Sequence, residues 1–159
     1  MLFKDKYNFL GNFFICPFEL EIDGKVCKFT NVEAAYQAQK NPEIADKFSQ
    51  VKGLEAKRMD DKLKITKENW PEYHLKAMAN ALHAKFQNKI LFIQLKAISE
   101  DIIHDNYWGD EYWGVYKGKG LNILGEMLMI IRDTNNNLDA LYLYADKKLK
   151  QIPKESRIY

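Results

Sequence analysis

The chain has 159 residues, of which 47% are hydrophobic and 29% charged, and its formal net charge is +2. That length suits one domain with a sizeable core, and the composition excludes a disordered chain. The charge is too small to argue by itself for nucleic acid, and the basic cluster Lys147, Lys148, Lys150, Lys154 and Arg157 reads as the solvated end of a helix.

The N-terminus is apolar but interrupted by Lys4, Asp5 and Lys6, so neither a signal peptide nor a membrane span is expected, and the cytoplasm is the default compartment. Phe18-Glu19-Leu20-Glu21-Ile22 alternates strictly, and Asp23-Gly24 offers a two-residue hairpin turn. That register sets Phe18 opposite Phe29, Leu20 opposite Cys27 and Glu19 opposite Lys28, giving one apolar face and one charge pair. Thr30-Asn31-Val32-Glu33 reads as a capping box opening a helix to about Lys40. Short helices are predicted around Ile44 to Phe48 and Leu54 to Leu63. Asn69-Trp70-Pro71 is a start signal for a helix carrying Leu75, Met78, Ala79, Leu82 and Phe86 on helical spacing. Asn88 to Ile98 reads as a buried helix; Leu121, Leu124, Leu128 and Ile131 mark another, and Leu138 to Leu149 a last one. The expectation is a single mainly helical (α+β) domain, compact and orthogonally packed, with a small N-terminal β-hairpin.

Cys16 and Cys27, the only cysteines, form neither a disulfide framework nor a CxxC pair, and His74, His83 and His104 lack the HExxH arrangement. No metal or other cofactor is expected. The most unusual stretch is Asp105 to Gly114, with three acids, two Tyr and two Trp around two Gly. Aromatic rings beside carboxylates suit a pocket that stacks a flat ring and moves protons next to it. Asp110 stands between Trp108 and Trp113, and an acid amid aromatics needs a partner or a role. The two Trp serve equally well as a lid over the core. The following segment, Gly118 to Gly125, has the wrong spacing for a dinucleotide fingerprint and reads as a tight turn with close helix packing at Gly125, or as a source of backbone N–H groups.

Glu33, Tyr36, Gln37 and Lys40 share one helical face, an acid, a ring, an amide and a base. For Glu33 a capping role competes evenly with a chemical one. Of the cations in Ala56-Lys57-Arg58, Lys57 reads as solvated, whereas Arg58 could grip a phosphate with its planar fork. Trp70 is either a packing staple or a stacking platform.

These pieces, in order, are Phe9-Leu10-Gly11-Asn12-Phe13, the run Val32 to Lys40, Ala56-Lys57-Arg58, Trp70, Met78 with Ala84-Lys85-Phe86, Trp108 to Gly114, and Gly120 to Gly125 through Leu128-Met129 to Arg132. Together they resemble the NADAR family, over about Phe3 to Arg132, leaving a C-terminal extension from about Asn135. The resemblance implies a compact helical fold and hydrolysis of a C1–N bond between ribose and a base-like group. Two substrate classes come with it: phosphoribosyl-aminopyrimidine intermediates of riboflavin synthesis, and ADP-ribose on guanine, free or within single-stranded nucleic acid. It places acidic and aromatic site positions at Glu33, Trp70 and Asp110, and amide and basic positions at Asn12, Gln37, Lys40 and Arg58. The chain departs from the family at Gly11, where Ser is usual, and at Ala34, where His is frequent.

Under this reading Asp110 deprotonates water and Glu33 stabilises the oxocarbenium-like sugar, or the reverse. Both carboxylates are expected at a single aromatic-walled cavity. Trp70 stacks on the leaving heterocycle, and Trp108 or Trp113 closes the pocket. Lys40 and Arg58 bind phosphate, while Tyr36, Gln37, Gly114 and Asn122 complete the substrate-binding set. No obligate protein partner and no membrane are expected. The competing readings are a non-catalytic ADP-ribose or nucleotide-binding module and, third, a structural helical domain with a docking tail.

Overall fold

Asp23 and Gly24 take left-handed backbone, with φ of 50° and 79°, as a two-residue hairpin turn of the primed type demands. A computed structural model, which describes residues 1–158, pairs β1 (Phe18–Ile22) with β2 (Lys25–Phe29) antiparallel, in the register the alternation predicts. Ile22, Cys27 and Phe29 are buried and Glu19, Glu21, Lys25 and Lys28 are exposed, so one face of the ribbon is available for packing.

The chain sorts into two compact units, one of residues 12–88 and the other of residues 1–11 with 89–158. In the first, the hairpin leads into α1 (Val32–Ala38), which packs on α2 (Gly53–Asp60) and α3 (Trp70–Lys85). The expected capping box does not form. Asn31, not Thr30, is the N-cap, and its Oδ1 accepts the Ala34 N–H at 2.8 Å. The helix also ends two residues early, although Lys40 N–H still reaches the Gln37 carbonyl at 3.1 Å in a tighter turn. Pro42–Phe48 is a 3₁₀ segment kinked at Ile44. α3 opens behind Asn69, whose φ of 56° is left-handed, with Pro71 in its first turn. The small residues Ala77, Ala79, Ala81 and Ala84 of α3 are all buried, with Leu75, Met78 and Leu82, which lets neighbouring backbone approach closely.

In the other unit, residues Asp5–Leu10 form a 3₁₀ turn, and α4 (Lys89–Lys96), α5 (Ile123–Asp133) and α6 (Leu138–Gln151) provide the helices. β3 (Asp105–Asn106) and β4 (Val115–Tyr116) form a two-residue parallel pair. α4 is not the buried helix that its apolar sequence suggests: Leu91 and Leu95 are buried, while Ile90 and Ile93 are 70% and 67% exposed. An apolar run of this length is satisfied by burying one stripe, not the whole circumference. α6 is tied to α5 through Glu126, which accepts the Tyr144 hydroxyl and lies 3.2 Å from Lys148 Nζ. Beyond it Arg157 donates to the Leu149 carbonyl at 3.1 Å, and Lys147, Lys150 and Lys154 are exposed. Both cysteines are free thiols, no group of residues among those described could hold a metal ion, and no described helix is long and apolar enough to cross a membrane.

Candidate active site

Releasing Glu33 from the cap changes what its side chain does. Its backbone N–H donates to the Asn12 carbonyl at 3.1 Å, and its Oε1 accepts from Gln37 Nε2 at 2.8 Å, one helical turn on. The residue is only partly exposed, and desolvation by the surrounding protein pushes the carboxyl's pKa up. The Gln37 hydrogen bond and the charges of Lys57 and Lys40 pull the other way, and Asp60 pushes it further up.

Lys40, 2% exposed, is ion-paired with Asp60 at 2.7 Å, and its Nζ lies 5.6 Å from the Tyr36 ring centre and 5.8 Å from that of Trp70. The Tyr36 and Trp70 rings are themselves 5.5 Å apart, and Tyr73 closes on Trp70 at 6.2 Å. Trp70 is therefore enclosed, at 2% exposure, and offers no open ring face; its expected role as a stacking platform is corrected to that of a packed wall. What it does present is Nε1, which has no hydrogen-bond acceptor. Gln37 Oε1 and Asn12 Oδ1 are likewise buried without a donor, Asn12 Nδ2 having only the Met78 sulfur at 3.7 Å. Unanswered buried polar atoms are unusual in a folded interior, and one of these three belongs to the side chain that holds Glu33.

The two cations of α2 differ in their relation to Glu33. Arg58 is exposed, and its charge is not among those that act on Glu33; Lys57, read as merely solvated, is the one that acts on the carboxyl. Asp60, which sequence reasoning missed, holds Lys40. The signal was available, since a lysine on an otherwise buried helical face calls for an acid, and Asp60 lies one turn beyond Lys57. A cleft of about 520 Å³ elsewhere on this unit, between Asp23, Lys25, Glu43, Asp46 and Lys67, contains none of the candidate residues. It lacks the enclosed polar groups found beside Glu33.

In the other unit, Asp110 organises its own loop. Its Oδ1 accepts the N–H groups of Tyr112 and Trp113 at 3.0 and 2.9 Å, and Asn106 clamps its backbone, with Nδ2 on the Asp110 carbonyl and Oδ1 on the Asp110 N–H. The acid amid aromatics thus has partners, and Oδ2 makes no hydrogen bond among the described residues. Trp108 is 58% exposed and touches the buried His104 ring at 5.7 Å; Trp113 is half-buried against Tyr112. Burial holds the His104 pKa down, against the pull of Asp110 and Asp105.

Two predicted substrate contacts prove to be architectural. Asn122, left-handed at φ 54°, donates from Nδ2 to the Ile102 carbonyl at 2.9 Å and accepts the His104 N–H at 2.9 Å, so its amide is used within the fold. Gly114 is a close-approach residue, because a Cβ there would stand 2.4 Å from the His104 carbonyl oxygen. Gly125 is another, as its packing reading predicts, with 2.3 Å to the Ile102 carbonyl.

A profile of the NADAR domain matches residues 2–134. The chain belongs to the NADAR family. It is also similar to the NMR structure of the E. coli protein YbiA, with 29% identity over 85% of this chain and 82% of that one, and a TM-score of 0.69. No curated protein matches the sequence. The α+β fold, largely helical with a small hairpin, is therefore that of the NADAR family, and a glycosidase-like role follows at the level of the family. The matched region stops before α6. The two departures from the family pattern are absorbed locally. Ala34 is fully buried in α1, so the residue there fills core space, and a Cβ at Gly11 would meet only the Asn8 carbonyl, at 3.4 Å.

Proposed function

We propose that this NADAR chain is an N-glycosidase that hydrolyses the bond between ribose C1 and a base nitrogen. The observation that carries this reading is the Glu33 environment: an enclosed carboxyl with an elevated pKa, fixed by Gln37, in the field of the ion-paired Lys40 and Asp60. Cleaving such a bond sends its electron pair to the leaving nitrogen and leaves positive charge on the sugar. A carboxyl that retains its proton to higher pH than an ordinary glutamate is suited to protonating that nitrogen, and the carboxylate it becomes is suited to stabilising the cationic sugar. This favours Glu33 as the acid, with Asp110 assigned the water: water adds to C1 and its proton passes to Asp110. The candidate substrates remain ADP-ribose joined to guanine, free or within single-stranded nucleic acid, and phosphoribosyl-aminopyrimidines.

Purified protein is incubated with an ADP-ribosylated guanine oligonucleotide and, separately, with a phosphoribosyl-aminopyrimidine, and release of ADP-ribose or ribose phosphate is followed by mass spectrometry. Turnover of one substrate is expected, with Glu33→Gln and Asp110→Asn each losing at least about a hundredfold. Full activity in both variants, with melting curves intact, ends the assignment. Wild-type protein that binds ADP-ribose and never turns over is a binding module instead.

A further inference from the structure

The loop that carries Asp110 is bound to the start of α5 through its backbone. The carbonyls of Glu111, Tyr112, Trp113 and Gly114 accept the N–H groups of Leu121, Ile123, Leu124 and Asn122, at 2.8, 3.3, 2.9 and 3.2 Å respectively. The first N–H groups of a helix have no partner within it. Asn122, the N-cap of α5, leaves them unanswered, because its amide is spent on Ile102 and His104. The loop is therefore the cap of α5. Two of its residues, Tyr112 and Trp113, also donate their own N–H groups to Asp110 Oδ1. A movement of the first turn of α5 is thus passed on to the Asp110 carboxyl.

One side chain of that turn, Glu126, reaches across to α6. It accepts the Tyr144 hydroxyl, and Lys148 Nζ, one turn further along α6, lies 3.2 Å from its Oε2 and 3.4 Å from its Oε1. The cluster is sheltered, with Lys148 15% and Glu126 34% exposed, so its charges are screened less than on an open surface. Tyr144 stays a hydroxyl donor: burial, the hydrogen bond to Glu126 and the charge of Glu126 all push its pKa up, and Tyr112, from the Asp110 loop itself, pushes it the same way. Leu141 and Ala145 bury α6 and supply its packing, whereas Tyr144 and Lys148 address the first turn of α5 in particular.

We propose that Tyr144 and Glu126 are positioning residues for Asp110: α6, which lies beyond the matched NADAR region, clamps the first turn of α5 and through it fixes the Asp110 carboxyl. The inference rests on the N-glycosidase reading only for the role that Asp110 plays. The clamp itself follows from the hydrogen bonds between α6, α5 and the loop.

Tyr144→Phe removes the hydroxyl and keeps the ring. Native-state hydrogen exchange followed by NMR is expected to show at least about tenfold less protection at the N–H groups of Tyr112, Trp113, Ile123 and Leu124, with those of α4 within about twofold of wild type. Glu126→Gln, which keeps an acceptor for Tyr144, should retain more of that protection than Glu126→Leu. On whichever candidate substrate is turned over, Tyr144→Phe should lower kcat about tenfold and leave KM within about twofold, as for a residue that acts on the water and not on binding. Lys148→Met, a milder change to the same cluster, should give the same local pattern at about threefold, and it decides if Tyr144→Phe does not fold. Protection that is unchanged, or lowered evenly in α4 and α5, overturns the proposal, as does a local loss that leaves kcat untouched. The two readings fail separately. A wild-type chain that turns over neither substrate loses the N-glycosidase reading, and the exchange pattern then still decides whether α6 holds the Asp110 loop.

Discussion

Lys85 is 1% exposed, and burial pulls its pKa from 10.5 down to about 8, with the neighbouring Cys16 thiol acting weakly in the other direction. The drop corresponds to about 3 kcal/mol of cost for carrying the ammonium inside the fold. Contacts of Nζ with the rings of Phe14, at 5.6 Å, and Phe86, at 5.3 Å, return part of that, at about 0.5–1 kcal/mol each. Lys85→Met, which cannot titrate, should therefore lose about 3 kcal/mol of stability relative to wild type as pH rises from 8 to 10.5, whichever protein is the more stable at neutral pH. The sign of the pH dependence follows from which state holds the proton. Between pH 8 and 10.5 the unfolded lysine remains charged while the folded one has lost its proton, so wild-type stability gains from rising pH in that window. Below it the penalty is fully present. Urea denaturation of both proteins across this range should show wild type gaining on the variant as pH rises. A difference between variant and wild type that does not change with pH refutes the reasoning.

The folded pKa of Glu33 lies above its unfolded value of 4.5, so the protonated form is the one folding favours. Its contribution is complete below that value and is lost as pH rises through the folded pKa, so Glu33→Gln should raise Tm at about pH 8 and leave it unchanged at about pH 4; an equal shift at both refutes this. Asn122→Ala removes both amide bonds to the backbone of Ile102 and His104 and leaves a left-handed residue without its usual side chain, a loss of about 2–3 kcal/mol by urea denaturation. Gly114→Ala forces a methyl against the His104 carbonyl and should cost at least about 1–3 kcal/mol, whereas Gly11→Ser should stay within about 0.5 kcal/mol. A thermal melt that ranks the last two equally would show that the loop yields where the geometry says it cannot.

Where a signal is local, the sequence carries it. The hairpin is legible because strict alternation and Asp23-Gly24 each determine the same register, and the α3 start because Pro71 leaves few alternatives. Composition alone does not separate the roles of the site residues. Asn122 and Gly114 stand in a stretch rich in site-like chemistry, yet their work is architectural, because the bonds that occupy Asn122 and the carbonyl that confines Gly114 come from the His104 region, distant in sequence. Trp70 is misread for the same reason: whether a ring face is open depends on Tyr36 and Tyr73 arriving beside it. Lys57 and Arg58 are neighbours of equal charge, and only the direction in which α2 turns decides which of them acts on Glu33.

Glu33 shows how one substitution of role reorganises a site. At position three of a capping box its carboxylate would be spent on a backbone N–H, charged and solvated at a helix end. With Asn31 taking the cap, the same side chain is released to Gln37 and enclosed, and desolvation then does what charge pairing does not. The cations that could restore an ordinary pKa are arranged not to: Lys40 is committed to Asp60 at 2.7 Å, and Lys57 is exposed to water that screens it. Removing the cap should therefore be felt in the chemistry and not only in the helix. Asn31→Ala frees the Ala34 N–H that the cap held and leaves Glu33 the nearest carboxylate able to reach back towards the helix N-terminus. Because the variant also loses the 2.8 Å bond from Asn31 Nδ2 to the Val51 carbonyl, the expected result is a loss of about 2–3 kcal/mol in stability together with a lowered pKa at Glu33, read by NMR titration of its carboxyl carbon. A variant that loses the stability and keeps the Glu33 titration unchanged would show that enclosure by the surrounding fold, and not the choice of cap, sets the acid.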